Sequence, residues 1–156
     1  MKRITNYLLS TLMLAIVFTS CKKEENQIFF EGGTAQTLTA NKTGNIPVSF
    51  VNADMEAIKF SWNNPNYKFS TGLSSQDVFY KIEIDTTNAA GTANPNFTYS
   101  GKQTVAINKD LSVAINQGQL NDYLLNQLQL VPSTVHYLQV RLIANLVNSN
   151  ATLISN

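Results

Sequence analysis

Beyond the charged stretch at Glu24-Glu25, two pairs of carboxylates stand close together in this chain, Glu83 with Asp85 and Asp54 with Glu56. Paired carboxylates are what glycoside hydrolysis uses, set across a cleft from each other. Neither spacing provides that. Glu83 and Asp85 are two apart in an alternating run, so a strand would set both on its polar face, outside the expected core. Asp54 and Glu56 fall in or beside a turn. The pattern names no catalytic residue and argues against an enzyme.

Metal chemistry fares no better. His136 is the only histidine and Cys21 the only cysteine, which is too few for a zinc set. Asp85-Thr86-Thr87-Asn88 and Asn63-Asn64 offer oxygens for calcium, but no spacing resembles a dedicated loop. Gly32-Gly33 precedes no helix that could cradle a phosphate. No metal site and no cofactor is expected. What remains is aromatic. Flat ligand faces, sugars among them, stack on exposed rings. Trp62 alternates with Phe60 and Ile58, which makes it core, and Tyr80 is core by the same argument. Tyr67 and Phe69 lie in the stretch from Pro65 to Gly72, where side chains are less committed. Phe79 points outward from its strand, and Tyr99 is open to either assignment. Tyr67, Phe69 and Phe79 are the candidate contacts for a glycan, a partner protein or a neighbouring domain.

Cys21 has a separate chemistry. Lys2 and Arg3 open the chain, an apolar run extends from Leu8 to Phe18, and the small pair Thr19-Ser20 precedes the cysteine. This is the layout of a secretory signal and its cleavage point. The run is short for a bilayer span, which needs about 20 apolar residues. Residues 1–20 are read as removed, and Cys21 as the lipidated first residue of the mature protein. The alternative is an ordinary signal peptide followed by a coincidental cysteine. Phe18 stands where leucine is usual in the lipoprotein pattern. More than one acyl chain makes a stable anchor.

The elements that must position these residues read as β structure. The segment after Cys21, through Gly32-Gly33-Thr34, reads as a linker. Residues 35–39 are expected to form a short strand through Leu38, and Ile46 to Val51 a second. Ala57 to Trp62, Val78 to Ile84 and Val135 to Ala144 alternate apolar and polar side chains, the signature of strands with one buried face. Phe97 to Ser100, Val105 to Ile107 and Leu111 to Ile115 are shorter candidates. Residues 117–130 differ. Leu120, Leu124 and Leu128 recur at helical spacing, Asn116 suits the N-cap and Pro132 follows the stop. The sum is an all-β, immunoglobulin/fibronectin-like β-sandwich with one short connecting helix. The domain is taken as residues 35–156. Its end, just after Ala151-Thr152-Leu153-Ile154, implies an open edge or a missing last strand.

Charge narrows the partners. The chain has 11 basic and 10 acidic residues; without Lys2 and Arg3 the mature side chains sum to −1. Nothing in that balance steers the chain toward nucleic acid or acidic lipid. Asn, Thr, Ser and Gln supply most of the polar surface.

Several segments together resemble a known family. Lys22-Lys23-Glu24-Glu25 after the cysteine is similar to the export tag of Bacteroidetes surface lipoproteins. Phe60-Ser61-Trp62-Asn63-Asn64-Pro65-Asn66-Tyr67 and Tyr80-Lys81-Ile82-Glu83-Ile84-Asp85 resemble the N-terminal domain of SusE-type outer-membrane lipoproteins. So do Leu120-Asn121-Asp122-Tyr123-Leu124-Leu125 and Leu138-Gln139-Val140-Arg141. Leu153-Ile154-Ser155-Asn156 looks like the segment before that domain's last strand, with Ile154 where tyrosine is usual. The resemblance implies a surface lipoprotein of a starch or glycan utilisation system, beside SusC/SusD-type outer-membrane proteins. It also implies an immunoglobulin-like spacer, with glycan contact assigned to later domains. Two other roles stay open: a stand-alone carbohydrate-binding module, and an adhesion or assembly domain outside glycan uptake.

Overall fold

The computed structural model describes residues 27–87, 103–147 and 151–155. Ten strands, a short helix and a single 3-10 turn account for the regular structure among them. The strands are β1 (Phe30–Gly32), β2 (Thr39–Ala40), β3 (Glu56–Ser61), β4 (Lys68–Phe69), β5 (Gly72–Leu73), β6 (Val78–Thr86), β7 (Gln103–Asn108), β8 (Ser112–Asn116), β9 (Leu138–Leu146) and β10 (Thr152–Ile154). The helix, α1, spans Gln117–Asp122 and runs into a π-helical turn at Tyr123–Gln127.

The three alternating runs become the three central strands. β3 lies between β2 and β8 in one antiparallel sheet, and β6 lies between β9 and β7 in a four-stranded sheet ordered β10-β9-β6-β7. Ile58, Phe60 and Trp62 from β3 and its end meet Tyr80, Ile82 and Ile84 from β6 and Leu142 and Ala144 from β9 in one buried cluster. This is the two-layer packing of a β-sandwich. Trp62 and Tyr80 pack with ring centroids 5.3 Å apart. An extra residue, Ala57, opens a bulge in β3 between the pairs Glu56–Asn116 and Ile58–Ile115. The bulge turns both Ala57 and Ile58 inward, where strict alternation allows only one.

The short candidates Val105–Ile107 and Leu111–Ile115 are two strands in two different sheets. β7 completes the four-stranded sheet, and β8 crosses to pair with β3. α1 then closes the end of the sandwich. Asn116 caps it through a reciprocal box: its Oδ1 accepts from the Gln119 N–H at 2.8 Å, and Gln119 Oε1 accepts from the Asn116 N–H at 3.3 Å. Leu120 is buried in the core, with Tyr123, Leu124 and Leu128 packed against it. The expected helix over 117–130 ends sooner. The chain departs through Gln129 at φ 54, and the Leu130 N–H returns to the Leu124 carbonyl.

Four expectations are corrected or refined. Ile46–Val51 is not a strand. Ile46 and Val48 do pack on the core, but Ser49 caps a 3-10 turn at Phe50–Asn52, its Oγ accepting from Val51 N–H at 3.2 Å. The first strand of the main sandwich falls on Thr39–Ala40, just beyond Leu38. The strand read from Val135 starts at Leu138 and continues to Leu146. Phe30–Gly32, within the segment read as linker, forms β1 and pairs with β4 in a small third sheet, β1-β4-β5. Gly33 explains the close approach there. A Cβ on Gly33 would lie 2.9 Å from the Tyr67 ring and 3.0 Å from both Leu153 Cδ1 and the Pro65 carbonyl. The strand expected over Phe97 to Ser100, and Tyr99 within it, lie outside the described residues.

Candidate functional site

The three aromatic candidates do not form one surface. Tyr67 is buried, contrary to the expectation of an uncommitted side chain. Its hydroxyl donates to the Ala144 carbonyl at 2.9 Å, and its ring packs with Leu146 and Ala151 in a second small core. Burial pushes the phenol pKa up, against a smaller lowering from the Leu153 backbone. Phe69 is half-buried beside it. Phe30 completes the group, 5.8 Å from Tyr67 and 5.5 Å from Phe69 between ring centroids. Sequence reasoning missed Phe30 because it stands in the stretch read as linker. The apolar triplet Ile28-Phe29-Phe30 was the available signal.

Phe79 does point away from the main core, as alternation placed it, and is 37% exposed. Its ring is not bare. Lys109 Nζ lies 4.9 Å from the ring centroid, and the same ammonium pairs with Asp77 at 2.7 Å. A cation over a ring competes for the face on which a sugar would stack.

The outward face of the four-stranded sheet also holds the carboxylates. β6 and β9 pair Glu83 directly with Arg141 and Asp85 with Gln139. Both acids were expected on the polar face outside the core. The face is right but the exposure is not: Glu83 is 1% exposed, and Asp85 is buried as well. Lys81 Nζ lies 2.7 Å from Glu83 Oε1, while Arg141 reaches Oε2 at 2.6 Å and 2.8 Å through two nitrogens. Burial pushes the Glu83 pKa up. The hydrogen bonds and charges of Lys81 and Arg141 outweigh that and hold it below the ordinary carboxylate value. A carboxylate held ionised between two cations is a poor general acid. Its place is structural.

Three of the side-chain oxygens in the segments considered for calcium accept backbone N–H groups. Asn63 Oδ1 accepts from Thr37 N–H, Asn64 Oδ1 from Asn66 N–H and Asp85 Oδ1 from Thr86 N–H, each between 2.7 and 2.8 Å. Among the described residues no three His, Cys, Asp or Glu side chains gather as a metal would require. His136 sits in a turn, its Nε2 2.7 Å from both Thr134 Oγ1 and the Val131 carbonyl. Cys21 lies outside the described residues. No helix among them is long and apolar enough to cross a membrane.

Two of the exposed apolar groups stand at opposite ends of β3. Phe50, Val51 and Met55 project from the turn before β3, with the 3-10 segment packed against the start of α1. Ile28, Phe29 and Leu73 project from the small sheet, beyond the Pro65 end. The sequence reading flagged neither, because both lie in segments assigned to a linker, a strand or a turn.

No curated protein and no solved structure matches this chain. The family model for the SusE outer membrane protein matches residues 22–143, a span running from just beyond Cys21 through most of β9. With a match over most of its length, the chain belongs to the SusE outer membrane protein family.

Proposed function

We propose that this chain is a non-catalytic accessory domain of an outer-membrane glycan-uptake complex, acting as an immunoglobulin-like spacer or docking element. Residues 1–20 serve as its export signal, and Cys21 carries a diacylglyceryl thioether that anchors the mature chain to the outer membrane, facing the cell surface. Its partners in this reading are SusC/SusD-type outer-membrane proteins, and the complex as a whole handles starch or another glycan. Family membership supplies that context.

The observation that carries the spacer role is the fate of the aromatic side chains of the central strands and of the Pro65 to Gly72 stretch. Trp62, Tyr67 and Tyr80 are committed to packing, and Lys109 lies over Phe79. A carbohydrate-binding module needs flat, accessible rings beside polar groups. These side chains stiffen the domain instead. Phe69 and Phe79 stay the places to look if the stand-alone binding module is the better description.

The test pairs two measurements on the full lipidated chain. Chemical cross-linking in native outer membranes should recover a SusC- or SusD-type protein, and titration of the purified chain with soluble starch should show no saturable binding. Saturable glycan binding that weakens on Phe79→Ala would move the conclusion to the binding module. Recovery of neither glycan nor transporter components would favour adhesion or assembly outside glycan uptake.

A further inference from the structure

We propose that the Phe29 end of the small sheet β1-β4-β5 is a lipid-surface seat, resting on the headgroup region of the membrane that holds the anchor. The inference rests on lipid attachment at Cys21 as proposed above. Ile28, Phe29 and Leu73 are 64%, 60% and 69% exposed. Their backbone is nevertheless pinned. The Phe29 N–H donates to Ser70 Oγ at 3.1 Å, and the Phe29 carbonyl accepts from the Ser70 N–H at 2.9 Å. Phe30 pairs with Phe69, and Lys68 pairs with Leu73.

Alternation sets the directions. Phe30 and Phe69 turn their rings toward Tyr67, so the neighbours Phe29 and Leu73 belong to the opposite, outward face. Lys68 shares that face, paired directly with Leu73. An aromatic ring and a branched aliphatic side chain beside a lysine, with their backbone held by paired strands, suit the boundary between headgroups and acyl chains.

Chain length puts a bilayer within reach of this end. Ile28 is seven residues beyond Cys21, and an extended chain covers at most about 25 Å in that distance. The Phe50–Met55 tip stands at the other end of β3, a strand about 20 Å long at about 3.3 Å per residue. The anchor therefore holds the Phe29 end nearest the lipid. Acyl chains already retain the protein, so the seat fixes which way the domain points, with the Val51 tip directed outward.

The experiment uses the full lipidated chain in vesicles of phosphatidylethanolamine and phosphatidylglycerol. Phe29→Cys and Val51→Cys each introduce a thiol for a fluorescent label; the Cys21 sulfur is already held in the diacylglyceryl thioether. Lipids carrying a nitroxide high on the acyl chain should quench the Phe29 label about threefold more than the Val51 label, as expected for a side chain at the interface. Leu73→Ser, at an exposed position on that face, should bring Phe29 quenching down toward the Val51 level. Equal quenching at the two sites, in protein whose mass retains the acyl chains, overturns the seat and leaves the anchor standing. Protein that lacks the acyl mass and fails to float with vesicles removes the anchor and the seat together. A Phe29 label that enters an apolar environment without lipid quenching assigns the face to a second copy of this chain instead.

Discussion

Replacing Glu83 by glutamine removes a charge while keeping shape and most of the volume. Lys81 and Arg141 then both lose the carboxylate they share. Breaking a fully buried ion pair in this way costs about 3–5 kcal/mol. Here the lysine and arginine side chains are still partly in contact with solvent, so water recovers part of the loss. The expected cost is about 2 kcal/mol at neutral pH. For a domain of this size that lowers Tm by about 6 to 8 °C. Trp62 is the sole tryptophan and is buried against Tyr80, so its fluorescence follows urea unfolding directly. The pH dependence supplies a second check. The folded pKa of Glu83 is depressed, so its contribution is fully present above the ordinary carboxylate pKa and is lost as pH falls through the lower folded value. Wild type and Glu83→Gln should differ at pH 7 and converge below about pH 4, near and under the unfolded pKa. An unchanged urea midpoint at pH 7, or a difference that persists undiminished at low pH, would refute the assignment of a stabilising charge to Glu83.

Two further changes test the parts of the fold that the site depends on. Tyr67→Phe removes the hydroxyl that reaches the Ala144 carbonyl but leaves the ring against Phe30 and Phe69; urea unfolding should show a loss of about 1–2 kcal/mol, since the carbonyl is left short of a partner. Asn116→Ala removes one half of the capping box with Gln119; the expected loss is about 1 kcal/mol, and Asn116→Asp should restore most of it in the same assay.

The sequence by itself determined which faces of the long strands turn inward. Ile58, Phe60 and Trp62, then Tyr80, Ile82 and Ile84, then Leu138, Val140, Leu142 and Ala144, could be read from alternation, because the period of two follows from the local geometry of a pleated strand. The N-cap and the leucine stripe after Asn116 were legible for the same reason: cap and stripe lie within one or two turns of each other. The motif order along the chain carried the family.

Tertiary structure alone decided what covers the polar faces and which short segments find partners. Glu83 and Asp85 read as solvated charges until Arg141, 58 residues away, stands opposite Glu83. Tyr67 looked uncommitted until Ala144 offered it a carbonyl from the end of β9. Phe30 looked like tether until β4 supplied an antiparallel neighbour, whereas Ile46–Val51, with similar strand propensity, found none and folded back on Ser49. Strand propensity describes a side chain that fits a pleated, half-buried surface, and that surface is made by residues distant in sequence.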